Sequence, residues 1–217
     1  MSVQETGYAF DGLPLSEVEP GTSVLVTGPA LGGVRRLLMR MLLCRHSREG
    51  ALFIAADSAG PGTLEDYASA GASPDPARVG VVDCTGEGAG DAEHNIHAVG
   101  SPSDLTGVGI EYSSLYESLH ANGASRVRTG VYTLSPFVVY SPIKPVFRFL
   151  HTLIGRIRTA DGLGVCAVDP AAVEKQALSS LCQAFDGRID LRAEDGETAI
   201  RVRGLADQPD GWQRVDL

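Results

Sequence analysis

The sequence predicts an α/β protein, with a mostly parallel sheet flanked by helices and an antiparallel β-hairpin near its carboxyl end. Three observations carry that expectation. Short apolar runs recur at wide spacing and alternate with segments that suit helices, as in strands joined by crossover helices. The first run, SVLVT at 23–27, stops at a glycine-rich turn, GPALGGVRR, that opens a helix. Late in the chain, GRIDLRAEDGETAIRVRG places Asp195 and Gly196 between two alternating stretches, the mark of a hairpin.

Taken in order, SVLVT at 23–27, ALFIAA at 51–56, VGVVDC at 79–84, RVRTGVYTL at 126–134 and GVCAV at 164–168 are apolar runs, as strands of a covered parallel sheet must be. Helices are expected over Val34–Cys44, where Leu37, Leu38, Met41 and Leu42 share a face, and over Thr63–Ala70, Ser113–Ala121, Pro145–Asp161 and Val173–Phe185. The hairpin runs from Arg188 to Ala193 and from Thr198 to Arg203. In it Ile189, Leu191, Ile200 and Val202 are to face the core, with Arg188, Asp190, Arg192, Arg201 and Arg203 in water. The long connection Thr85–Ser103 is irregular and rich in glycine and acidic residues, and either a mobile loop or an excursion at the sheet edge is expected there. His94 and His97 lie near Glu87, Asp91 and Glu93, but a flexible loop does not fix ligand geometry, so no metal is assigned. One domain is expected over residues 1–205, followed by a polar tail over 206–217 with Trp212 as its only anchor.

At 217 residues the chain is long enough to bury a sizeable core and short for two full domains. Asp and Glu number 27 against 18 Lys and Arg, a formal net charge of -9, and Lys144 and Lys175 are the only lysines. That balance argues against nonspecific nucleic-acid binding. It resembles the composition of proteins from salt-loving archaea, the alternative being an ordinary acidic protein from a GC-rich genome. Cys44, Cys84, Cys166 and Cys182 are scattered, with no CxxC pair. Buried thiols in a reducing cytosol are expected, rather than a zinc knuckle or disulfide framework. No basic-then-apolar leader and no apolar run of about 18 residues occurs, so a soluble cytoplasmic protein is expected.

The glycine turn has the spacing of a phosphate-binding loop, with four residues between Gly28 and Gly33, but Val34 and Arg35 follow where lysine and a hydroxyl belong. Gly28, Gly32 and Gly33 also suit a tight strand-to-helix turn that packs closely on its neighbours. The strand, this turn, its helix, four further parallel strands and the hairpin together resemble the RecA-like ATPase core in its KaiC-like branch. SPSDLTGVGIEYSSL (101–115), GVYTLSPFVVYS (130–141), VFRFLHTLIGRIRTADGLGVCAVDP (146–170) and FDGRIDLR (185–192) resemble a haloarchaeal group of RecA-superfamily, KaiC-like proteins of unassigned function.

That resemblance implies three tests of ATPase chemistry. In an active KaiC-like enzyme the loop amides cradle phosphates, a lysine reaches the β and γ oxygens, and a hydroxyl holds magnesium. Here Val34 offers neither charge nor donor, and Arg35 offers no metal ligand. Each charge-assisted hydrogen bond lost costs about 1.5–3 kcal/mol of nucleotide binding, although Arg35 or Arg36 could restore some charge. The aspartate that ends the metal-binding strand is replaced by Tyr132, leaving the Thr133 hydroxyl as the nearest oxygen. Asp57 alone stands where the base is expected, and it suits a cap near Gly60 or Thr63 as well.

Two of three components for phosphoryl transfer are therefore missing. The expectation is a catalytically inactive relative, without cofactor, acting as a regulatory or scaffolding module in a haloarchaeal cytosol. Its rival is a nucleotide-binding switch or slow ATPase in which Arg35 or Arg36 replaces the lysine and ATP with magnesium is the ligand. A DNA-binding relative fares worst on charge. The helix VFRFLHTLIGRI and the preceding PFVVYSPIKP carry more apolar surface than one stripe against a sheet requires. Phe137, Val139, Tyr140 and Phe147 are expected to meet a partner or second subunit, the alternative being that both segments are internal. His151, in that helix, is expected as a satisfied core or interface histidine.

Overall fold

Val24, Leu25 and Val26 alternate between opposite faces of a sheet, and all three are buried, as a strand covered on both sides requires. The computed structural model describes residues 7–88, 90–194 and 196–217. Along the chain lie β1 (Ser23–Thr27), α1 (Val34–Met41), β2 (Glu49–Ala55), α2 (Gly60–Ser69), β3 (Val79–Asp83), β4 (Ile96–Ala98), α3 (Leu105–Ala121) and β5 (Arg126–Tyr132). They are followed by α4 (Ser135–Tyr140), α5 (Ile143–Thr159), β6 (Leu163–Val168), α6 (Lys175–Ala184), β7 (Gly187–Glu194), β8 (Glu197–Arg203) and β9 (Gln213–Arg214). Among the described residues the strands form one nine-stranded sheet in the order β4-β3-β2-β5-β6-β1-β7-β8-β9. From β4 to β7 every pairing is parallel, and β8 and β9 close the far side antiparallel.

The two faces hold separate cores. On one, Leu37, Leu38 and Met41 of α1 and Leu64 and Tyr67 of α2 cover Val24, Val26 and Phe53. On the other, α3, α4, α5 and α6 bury Leu25, Leu52, Val131 and Val168 through Leu115, Phe137, Leu150 and Leu181. At the amino end of the sheet the Arg128 guanidinium is fully buried, donating to Glu49 and to the carbonyl of Met41.

Several expectations need correction. Of the two alternatives for Thr85–Ser103 the structure shows the edge excursion and not a mobile loop: Ile96–Ala98 forms the outermost strand β4 beside β3, and buried Ile96 also bridges back to Asp91. Within it His94 pairs with Asp91 at 2.8 Å and His97 with Glu111 of α3 at 2.6 Å. Helix α3 starts at Leu105, eight residues before Ser113, because Asp104 caps it by accepting from the Gly107 amide. The expected polar tail adds β9 against β8, and Val215 is buried. Phe137 is no interface residue. It is wholly buried and stacks on Phe149, with ring centroids 6.1 Å apart, whereas Val139 and Tyr140 are 65% and 67% exposed. Phe147 is half-buried, with His151 at its edge and itself exposed, so that histidine is not a core residue. The hairpin forms in the expected register, with Gly196 at φ 78°; Asp195, placed in its turn, lies outside the described residues.

Candidate functional site

Parallel strands release their chain at one end of the sheet, and the register brings four exits together there. Thr27 pairs with Val168 and with Asp190, and Ala55 pairs with Tyr132. The glycine turn after β1, Asp57 after β2, Thr133 after β5 and Asp169 after β6 thus share the carboxyl edge, where open α/β sheets form their ligand crevice.

The turn itself is tightly determined. A Cβ on Gly28 would lie 2.9 Å from the carbonyl oxygen of Leu191 and from Val34, so the approach of β7 demands glycine. Gly33 has φ 96°, a left-handed conformation that favours glycine. Gly32 closes the turn by donating to the Pro29 carbonyl at 2.8 Å, and the Ala30 amide donates to Asp169 Oδ2 at 3.1 Å. With the Gly28 amide donating to the Val168 carbonyl at 3.4 Å, three of the loop's amides are held by the chain's own oxygens. Val34 is buried in the α1 core, and Leu31 at the tip of the turn is fully exposed.

Arg35 points across the edge. Its guanidinium pairs with Asp66 of α2, lies 4.0 Å from Asp57 Oδ1 and sits 4.7 Å from the centre of the Tyr132 ring. The structure thus gathers Arg35, Asp57 and Tyr132 at one edge, together with Asp66. Burial pushes the Asp57 carboxyl above its ordinary value although Arg35 pulls it down. Burial, then the Asp57 charge, pushes the Tyr132 phenol up. The Thr133 hydroxyl turns away to donate to the Ala167 carbonyl at 3.1 Å. Arg36 stays exposed beside Gly33. Among the described residues no group of three His, Cys, Asp or Glu side chains is placed to hold a metal ion.

Behind the turn, Asp190 forms a second cluster. The Thr27 hydroxyl donates to its Oδ1 at 2.9 Å, Arg188 Nε lies 2.8 Å from the same oxygen, and Arg201 and Arg203 donate to Oδ2 at 3.2 and 2.9 Å. Burial opposes the charge, but the Thr27 hydroxyl and these arginines hold the carboxyl below its ordinary value. Of the row expected to face water, Arg188, Asp190, Arg201 and Arg203 form an ion network joined to the base of the glycine turn, while Arg192 and Arg203 are exposed as expected.

Residues 21–191 match a family described as a family of unknown function, DUF7504. The chain belongs to that family. The fold of this DUF7504 protein matches that of a KaiC-like protein, PH0186, from the hyperthermophilic archaeon Pyrococcus horikoshii OT3. The match has a TM-score of 0.65 and 14% identity, and covers 96% of this chain and 91% of that one. At such identity the likeness establishes the fold alone, a RecA-like fold of KaiC type. No curated protein matches the sequence. In the DUF7504 chain no helix among the described residues is long and apolar enough to cross a membrane.

Sequence reasoning missed Asp66, Asp169 and Asp190 as members of the edge. Asp169 carried a usable signal, being the first residue after the strand expected at 164–168. Asp66 carried none, since its role depends on how α2 lies against α1.

Proposed function

We propose that this DUF7504 protein is a non-catalytic regulatory or scaffolding module, a RecA-like domain whose nucleotide edge is filled by its own side chains. The observation that carries this reading is the placing of Arg35 between Asp66, Asp57 and the Tyr132 ring. The position that the family resemblance gives to a metal-binding hydroxyl holds a cation instead, and both nearby carboxylates face it. The Asp169 carboxylate on the Ala30 amide is the matching anion in the loop. This donor set does not fit a magnesium nucleotide: a guanidinium repels the metal, and a carboxylate at the loop repels phosphate. The acidic charge balance, with Lys144 and Lys175 the only lysines, supports a salt-rich cytosol as the setting.

The test is ATP hydrolysis together with thermal unfolding in molar potassium chloride, with and without magnesium-ATP. No turnover above buffer and no rise in melting temperature are expected, because a ligand that binds only the native state must stabilise it. Magnesium-dependent turnover that disappears in Asp57→Asn would overturn the reading. The rival, a nucleotide-binding switch, draws support from Arg36, a cation exposed beside Gly33. Stabilisation by ATP that is lost in Arg36→Ala would favour that rival.

A further inference from the structure

Helices α3 and α5 lie side by side over one face of the sheet and leave a groove between them. Two adjoining cavities of about 700 and 640 Å³ share Tyr112, Ser113, Glu117, Thr152 and Arg156. Apolar side chains line it, including Phe149, Leu153 and Ile110, the last 59% exposed. Gly109 and Gly155 open onto it with no atom within 4 Å of where a Cβ would stand, so another backbone can approach closely. Each helix has 17 residues, which gives a trough of roughly 25 Å.

Charge identifies the occupant. In a chain of net charge -9, α5 carries Lys144, Arg148, Arg156 and Arg158 and no acidic residue. Arg158 pairs with Asp186, but among the described residues no carboxylate pairs with Lys144, Arg148 or Arg156. Arg156 reaches over to the Ser113 hydroxyl. On the α3 rim Glu111 is engaged by His97, and Glu117 is exposed. The groove is therefore apolar at its floor, cationic along α5 and mildly acidic along α3.

We propose that this groove receives an amphipathic helix of a partner protein, its apolar stripe on the floor and its acidic flank against Arg148 and Arg156. A second copy would offer these α5 cations only one groove-lining carboxylate, Glu117, and is the poorer charge match. A lipid surface suits a convex apolar helix face, and this surface is a trough. The inference rests on the protein being an interaction module. It does not depend on the nucleotide result, since the glycine turn and the groove lie on different elements.

The experiment titrates the full chain into a fluorescently labelled peptide of about 17 residues, leucines at helical i, i+3, i+4 spacing and glutamates flanking them. A twin carrying lysine for glutamate serves as comparison, both in low and in molar potassium chloride. The acidic peptide is expected to bind at least about tenfold tighter than its twin at low salt. Arg148→Glu and, separately, Ile110→Glu should each weaken it about tenfold with far-UV circular dichroism unchanged. Both sites are exposed, and if one variant fails to fold the other carries the test. Equal binding of the two peptides, no saturable binding, or binding untouched by both substitutions would overturn the proposal. So would binding to anionic phospholipid vesicles that Arg148→Glu abolishes, or a dimer mass by light scattering that Ile110→Glu reduces to a monomer. ATP binding at the glycine turn with peptide binding intact would sink only the non-catalytic reading.

Discussion

Replacing Arg35 by methionine keeps the length of the side chain and removes the charge at the centre of the carboxyl edge. The side chains of Arg35, Asp57 and Asp66 are 23%, 33% and 43% exposed, so solvent screens both ion pairs. Pairs of this kind contribute about 0.2–1 kcal/mol each, and a cation over an aromatic ring adds about 0.5–1 kcal/mol. The variant should lose about 1–2 kcal/mol at neutral pH. Its pH dependence is the sharper test. Burial holds the Asp57 carboxyl above its ordinary 3.8, against the pull of Arg35. For an acid raised in the folded state, the native protein binds more protons than the unfolded one, so stability falls as pH rises from 3.8 through the folded value. Without Arg35 that window extends upward and the loss deepens. The difference between variant and wild type should be largest near about pH 7 and shrink toward about pH 4, as the raised Asp57 carboxyl takes up its proton. Urea unfolding at the two pH values measures it. An equal loss at both, or a variant as stable as wild type at neutral pH, would refute the reasoning.

Phe137→Ser should cost about 3–5 kcal/mol in urea unfolding, because Phe137 is wholly buried against Phe149. Tyr140→Ser, three residues on and exposed, should change stability by less than about 0.5 kcal/mol. Asp190→Asn should lower stability by about 1–2 kcal/mol at neutral pH. Since the Asp190 carboxyl sits below its ordinary 3.8, its contribution is present above that pH and lost as pH falls through the folded value, so the two proteins should converge in strong acid. Melting temperature should rise with potassium chloride, as screening relieves an acidic surface whose Debye length shrinks from about 30 Å at 0.01 M to 3 Å at 1 M. A flat response would remove the salt-adapted reading.

The parallel core was legible because its strands are continuous apolar runs, and the hairpin because its alternation is strict. What was hidden is short or runs against propensity. Ile96–Ala98 has only three residues and owes its strand form to the β3 edge beside it. The first two turns of α3 contain Gly107 and Gly109, which mask a helix that Asp104 starts and packing completes. Ser135–Tyr140 read as an apolar patch because six residues show no clear period; as helix α4 it turns Phe137 inward and Val139 and Tyr140 outward. At the edge, Gly28, Gly33 and Arg35 were named from spacing, and Asp57 and Tyr132 from the resemblance to KaiC-like enzymes. Asp66 was not, because a partner fixed by tertiary packing leaves no spacing to detect, and Asp169, although first after an expected strand, was passed over.

The sheet stops abruptly on both sides. Its outermost strands, β4 and β9, have three and two residues. An unpaired strand offers a ladder of amides and carbonyls on which another chain can grow, and a ladder of two or three rungs gives such growth little hold. A crowded solution of this protein should therefore resist edge-to-edge stacking even where the acidic surface is fully screened by salt. Contact through its helices, by contrast, would let side chains rather than backbone choose the neighbour.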